Sequence, residues 1–225
     1  MRKIFPITVE KLMKKNKKIF CLLGDIGVFS FRNIFKKYKK RIYNMSTMEQ
    51  SMVGFSSGLS RAGFIPIIHT ITPFLVLRAL DQIKIDLVYN KLSCNIVSVG
   101  ASNDYPKLGT THHCFEDINI LSNYKDINLY IPSNAQEFNY LLNKNYNNKS
   151  VNYFRISEKN INYFGVDNRF LKKKNNKNLI IIVGNSIDSK IINLDNFDIY
   201  FISSITSKLN LKFIRKYEKI IIIEP

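Results

Sequence analysis

Short aliphatic and β-branched runs recur at positions 19–23, 65–70, 95–99, 127–130, 151–156, 179–183, 199–202 and 220–223. Runs of this length, separated by longer stretches with helical spacing, predict strands alternating with helices. The fold class expected is therefore α/β with a largely parallel sheet. The clearest helices are the segment after Glu49, the segment from 74 to about 89, and 135–144, which follows a candidate N-cap in Ser133 or Asn134.

Between about 159 and 178 the chain turns polar and loses its periodicity, with Lys172, Lys173, Lys174, Asn175 and Asn176 in a row. A linker at 158–178 is expected, dividing a first unit at 1–157 from a smaller α/β unit at 179–225. No internal repeat is visible.

Composition narrows the class. With 45% apolar and 12% aromatic residues, 225 residues can bury a substantial core. No run approaches the roughly 18 apolar residues that span a bilayer, and the opening MRKIFPITVEKLMKKNKK is too charged for a signal peptide. A cytoplasmic protein without a membrane segment is expected. Cys21, Cys94 and Cys114 have no metal-ligand spacing and read as free thiols. The net charge of +17 raises the question of nucleic acid. Its lysines fall in short clusters at 14–18, 36–40 and 172–174 amid many Asn and Ile residues, which reads as solvated surface or a face for an acidic partner, not a nucleic-acid groove.

Three segments carry candidate chemistry. The first, Ser46-Thr47-Met48-Glu49-Gln50, leads into a helix with Gly54, Ser57, Gly58 and Ala62. A first-turn carboxylate gains about 0.3–1 kcal/mol from the helix dipole, which alone would explain Glu49. Each interior glycine costs a helix about 1 kcal/mol relative to Ala, so the small-residue surface suggests close approach of another backbone. The second, Thr72-Pro73-Phe74-Leu75 followed by Arg78-Ala79-Leu80-Asp81-Gln82, lies where a strand passes into a helix, a common position for ligand loops in α/β folds. The third, Gly109-Thr110-Thr111-His112-His113 with Glu116-Asp117, places two of the chain's three histidines in one glycine-containing loop. His69, at the end of a strand, reads as structural.

In order and spacing these segments resemble the pyrimidine-binding domain of the transketolase family, over about residues 20–135. The resemblance implies a parallel-sheet pyrimidine-binding domain at 1–157, followed by a short α/β domain like the family's C-terminal one. It implies thiamine diphosphate as cofactor, with Glu49 bonded to N1′ of the aminopyrimidine and helping the cofactor lose its C2 proton. It also places Phe74 against the pyrimidine ring and His112 beside the thiazolium and substrate, where it would serve the oxygen that develops charge. His113 and Arg155 fall on the substrate side. The activity implied is transfer of a two-carbon ketol unit between sugars or sugar phosphates. The alternatives are a 2-oxo acid dehydrogenase β-subunit and a catalytically degenerate interaction subunit.

The family's Gly-Asp-Gly…Asn signature, which holds Mg²⁺ and the diphosphate, is absent. Gly24-Asp25-Ile26-Gly27 matches the opening strand and turn of the pyrimidine domain instead. A transketolase N-terminal, diphosphate-binding subunit is thus the expected partner and main holder of Mg²⁺, in a homodimer of heterodimers. Two positions depart from the family pattern. Leu108 stands where an Asp precedes the motif glycine, and Glu158 stands where an arginine grips the sugar phosphate. A carboxylate there would repel phosphate.

Overall fold

The computed structural model describes residues 1–102, 104–157, 167–186, 191, 194–207 and 209–224. Glu158 lies outside them, as does much of the expected linker. In chain order the elements are α1 (Ile4–Lys15), β1 (Ile19–Leu23), α2 (Val28–Lys37), β2 (Ile42–Asn44), α3 (Glu49–Arg61), β3 (Ile65–Ile71), α4 (Thr72–Val76) and α5 (Leu80–Gln82), which runs on as a π-helical stretch, Ile83–Tyr89. There follow β4 (Cys94–Val99), α6 (Asp117–Ser122), β5 (Ile127–Tyr130), α7 (Ala135–Asn145), β6 (Val151–Ile156), β7 (Arg169–Lys172), β8 (Asn178–Val183), β9 (Phe197–Ile202), β10 (Ser204–Ile205) and β11 (Lys219–Ile223).

The first sheet has the order β10-β5-β6-β4-β3-β1-β2, with every pairing parallel except that of β10 with β5. A parallel sheet is buried on both faces, and neighbouring residues of one strand serve opposite cores. Leu23 and Ile67 pack against Phe5, Val9 and Leu12 of α1, Phe31 of α2 and Phe138 of α7. Leu22 and Ile68 pack against Met52 and Val53 of α3 and Leu75 and Val76 of α4. The second sheet, β11-β8-β9-β7, is parallel apart from β7. From β9 the chain passes into β10, whose Ser204 pairs with Tyr130 of β5. Ile131 joins the core of Leu179 and Ile181, so the two sheets adjoin.

The mixed α/β fold with a mostly parallel sheet and a second sheet is as expected. Asn134 caps α7, its side-chain oxygen accepting from Glu137 N at 2.9 Å. Two expectations change, and one helix was not foreseen. The helix from 74 to 89 is broken: α4 stops at Val76, residues 77–79 turn, and α5 passes into the π-helical stretch. The described part of the expected linker contains β7, because Phe170 packs on Tyr200 and Phe213 with ring centroids 4.9 and 5.1 Å apart. The lysine-rich opening forms α1, whose buried Phe5, Val9, Leu12 and Met13 follow helical spacing. Among the described residues no helix is long and apolar enough to cross a membrane.

In chain order β2 is added on one side of β1 and β3 on the other. This reversal opens a crevice at the carboxyl ends of β1 and β3, the position at which open α/β sheets bind ligands.

Candidate functional site

At that crevice β1 is followed by Gly24, whose N–H donates to His69 O of β3 at 2.8 Å. A Cβ on Gly24 would lie 2.7 Å from Thr70 Cβ, so this approach of the two strand ends requires glycine. The Thr70 hydroxyl faces Gly24 O at 3.2 Å and Glu49 Oε1 at 3.3 Å. Glu49 is the first residue of α3, and its side chain is wholly buried. Burial of a carboxylate demands partners, and the positive end of α3 supplies only part of the compensation.

The remaining partner comes from the break after α4. Arg78 Nη1 donates to Glu49 Oε2 at 2.5 Å, and the Arg78 guanidinium carbon lies 4.4 Å from the centroid of the Phe74 ring. Phe74 in turn meets His112 edge to face, with centroids 5.1 Å apart. Glu49, Arg78, Phe74 and His112 therefore form one contiguous cluster drawn from α3, α4, the break and the loop after β4. His112 Nδ1 lies 2.9 Å from Thr111 Oγ1, which leaves Nε2 as the nitrogen able to give or take a proton. The cluster thus combines a buried carboxylate, an aromatic face and an imidazole, enough to bind a flat heterocycle and move protons at its edge.

The other residues singled out from the sequence lie around this cluster. His113 is half-buried, and among the described residues its Nε2 is a buried atom without a hydrogen-bond partner. Arg155, on β6, is only 6% exposed. Its Nε lies 3.1 Å from Asp117 Oδ2, an ion pair without hydrogen-bond alignment, while Nη2 donates to Ser102 Oγ at 2.7 Å. Arg155, expected on the substrate side, thus has its charge met by Asp117. Burial raises the Asp117 carboxyl above its usual range, against the opposing pull of Arg155. Leu108 is exposed on the same loop, just before Gly109, whose φ is 75°. His69 points to the opposite face of the sheet; its Nδ1 lies 2.7 Å from Val97 O, and burial lowers its pKa to about 4.

Sequence reasoning missed Arg78, Thr70 and Gly24 as members of the cluster. The spacing of Phe74 and Arg78, four positions apart, was the one signal available for Arg78.

The sequence profile of the family described as "Transketolase, pyrimidine binding domain" matches residues 1–163. A subunit of the apulose-4-phosphate transketolase of Actinobacillus succinogenes is 29% identical over 126 residues, which cover 56% of this chain and 40% of that protein. The 6-deoxy-6-sulfo-D-fructose transketolase subunit SqwH of a Clostridium species is 26% identical over 125 residues, covering 55% of this chain and 39% of that protein. The chain thus spans less than half the length of these curated relatives. A solved structure described as "Split gene transketolase, inactive beta4 tetramer" superposes with a TM-score of 0.83 at 21% identity, covering 99% of this chain and 78% of that one.

Proposed function

The chain belongs to the transketolase pyrimidine-binding domain family, and from that premise we propose that it is the cofactor-activating subunit of a thiamine-diphosphate-dependent transketolase-like enzyme. The observation that carries this reading is the buried Glu49 carboxylate, held beside the Phe74 face and within one cluster with His112. The residues fit the cofactor's pyrimidine: a planar, cationic donor already lies over Phe74 and bonds Glu49. A flat heterocycle with a protonatable ring nitrogen matches that donor and that face. When bound, thiamine diphosphate supplies the carbanion chemistry that breaks and makes a carbon–carbon bond beside a carbonyl.

The chain's own residues orient that chemistry and move its protons. Glu49 holds a proton at N1′ of the pyrimidine, a role for which a buried carboxylate aligned by Thr70 suits it. Phe74 gives the ring flat contact area. His112 serves the substrate oxygen through Nε2, with Nδ1 set by Thr111. His113 and Arg155 line the substrate side, with Arg155 Nη2 donating to Ser102 Oγ.

The reaction proposed is transfer of a two-carbon ketol unit between sugars or sugar phosphates. The names of the two curated relatives, both subunits of sugar transketolases, support it. A transketolase N-terminal subunit would hold the diphosphate and most of the Mg²⁺ coordination, in a homodimer of heterodimers in the cytoplasm. The test is reconstitution with that subunit and product analysis with ketose and aldose phosphates against 2-oxo acids. Ketol transfer is the expected result. Turnover of 2-oxo acids alone would replace this reading with a dehydrogenase β-subunit, and cofactor binding without any turnover would identify a degenerate subunit.

A further inference from the structure

Arg78 occupies both positions that the cofactor reading assigns to the pyrimidine. Its guanidinium carbon is 4.4 Å from the Phe74 centroid, and its Nη1 donates to Glu49 Oε2 at 2.5 Å. A guanidinium is planar, delocalised and rich in donors, so it can stack on a ring and bond a carboxylate at once. Glu49 contributes a wholly buried side chain to this pair, whereas that of Arg78 is 43% exposed. The arginine can therefore swing into solvent while the glutamate stays. Arg78 lies in the break at residues 77–79, just before a π-helical stretch of the kind frequent at functional sites, and its N–H donates to Pro73 O at 3.2 Å, so that only the side chain has to move.

We propose that Arg78 is a placeholder for the aminopyrimidine: it stacks on Phe74 and pairs with Glu49, and it must leave when the cofactor enters. This inference rests on the cofactor reading above. The placeholder keeps a buried carboxylate from standing unpaired and holds Glu49 and Phe74 in their working positions. It also makes binding competitive, because apparent affinity falls by the fraction of molecules in which the site is open. Arg78 is thus a positioning residue, and the direction of its effect is opposite to that of a cofactor-holding arginine.

Thiamine, which carries the pyrimidine without the diphosphate, is the probe for the full chain alone. It is titrated at millimolar concentration into wild type, Arg78→Met and Arg78→Lys, and followed by NMR at the Phe74 ring, the Glu49 carboxyl and the Arg78 guanidinium. Wild type is expected to bind weakly, with the Arg78 signals moving as those of Glu49 and Phe74 move. Arg78→Met, which keeps the length and loses the charge, is expected to bind roughly tenfold more tightly, from the loss of one ion pair and one cation–π contact. Arg78→Lys keeps the charge without the planar face and is expected to bind about threefold more tightly, which carries the test if the Met variant does not fold. Equal or weaker binding by the folded variants, or an Arg78 signal that stays still while Glu49 and Phe74 respond, overturns the placeholder alone. No response of Glu49 or Phe74 even in the folded Arg78 variants overturns the placeholder, since removing it then opens nothing, while the cofactor reading is decided separately by C2 exchange in the reconstituted complex.

Discussion

Arg78 Nη1 lies 2.5 Å from Glu49 Oε2 although 29 positions separate the two residues. This bond ties the start of α3 to the break between α4 and α5. With Thr70 on the other carboxylate oxygen, it fixes Glu49 from two sides. Glu49 and Phe74 both border the crevice where the strand order reverses, so the sheet topology itself brings the acid and the aromatic face together.

The close approach of β1 and β3 under Glu49 makes Gly24 intolerant of any side chain. In Gly24→Ala the new Cβ would meet Thr70 Cβ at 2.7 Å and Thr70 Oγ1 at 2.8 Å. The expected cost is about 1–3 kcal/mol in urea unfolding. Gly58 in α3 has nothing within 4 Å of an added Cβ, so Gly58→Ala should stabilise the isolated chain by up to about 1 kcal/mol. Similar changes in both variants would show that the strand ends do not meet as described.

His69 makes the fold acid-sensitive. Burial lowers its pKa from 6.5 to about 4, so below 6.5 the unfolded chain takes up a proton that the folded chain refuses. Stability is full above pH 6.5 and is lost as pH falls toward 4, by about 3 kcal/mol at about 1.4 kcal/mol per pKa unit. Asp117 and Glu137, both raised by burial, act in the opposite sense. Comparison with His69→Gln, which keeps an N–H donor, isolates the histidine. Urea unfolding at pH 7 and pH 4.5 should show a smaller difference in that variant than in wild type, and an unchanged difference would remove His69 as the cause.

Cofactor affinity should depend on the partner, since the chain lacks the Gly-Asp-Gly…Asn signature. Calorimetric titration of the chain alone with thiamine diphosphate and Mg²⁺ is expected to give binding weaker than micromolar. Micromolar or tighter binding by a proven monomer would contradict the split site.

The histidine loop separates binding from turnover. His112→Ala in the reconstituted complex should lower kcat more than cofactor affinity, because its proposed partner is charge that develops during the reaction. A milder loss is expected for His113→Ala. Equal, small effects in steady-state kinetics would mean that the loop is structural.

Most of the parallel sheet was legible because its strands are short apolar runs, and Glu49, Phe74 and His112 were legible as motif positions. What stayed hidden has specific causes. Lysines masked the buried stripe Phe5, Val9, Leu12 and Met13 of α1, and the Lys-Asn run concealed β7, which pairs with β9 and packs through Phe170. The pairing of Arg155 with Asp117 appears only when β6 and α6 come together. The pairing of Arg78 with Glu49 depends on the break at residues 77–79, which no local propensity in Leu77, Arg78 and Ala79 announces.

The most direct measurement of the role assigned to Glu49 is proton–deuterium exchange at C2 of the bound cofactor, read by NMR after acid quench in wild-type and Glu49→Gln complexes. Gln keeps the volume and some hydrogen bonding but cannot hold the proton at N1′, so cofactor is expected to bind while exchange slows by about 10²- to 10⁴-fold. A carboxylate that only favours the start of α3 would leave exchange normal and cost at most about 1 kcal/mol of stability. Unchanged exchange in a folded, cofactor-loaded Glu49→Gln complex would contradict the role of Glu49 and the proposed function built on it.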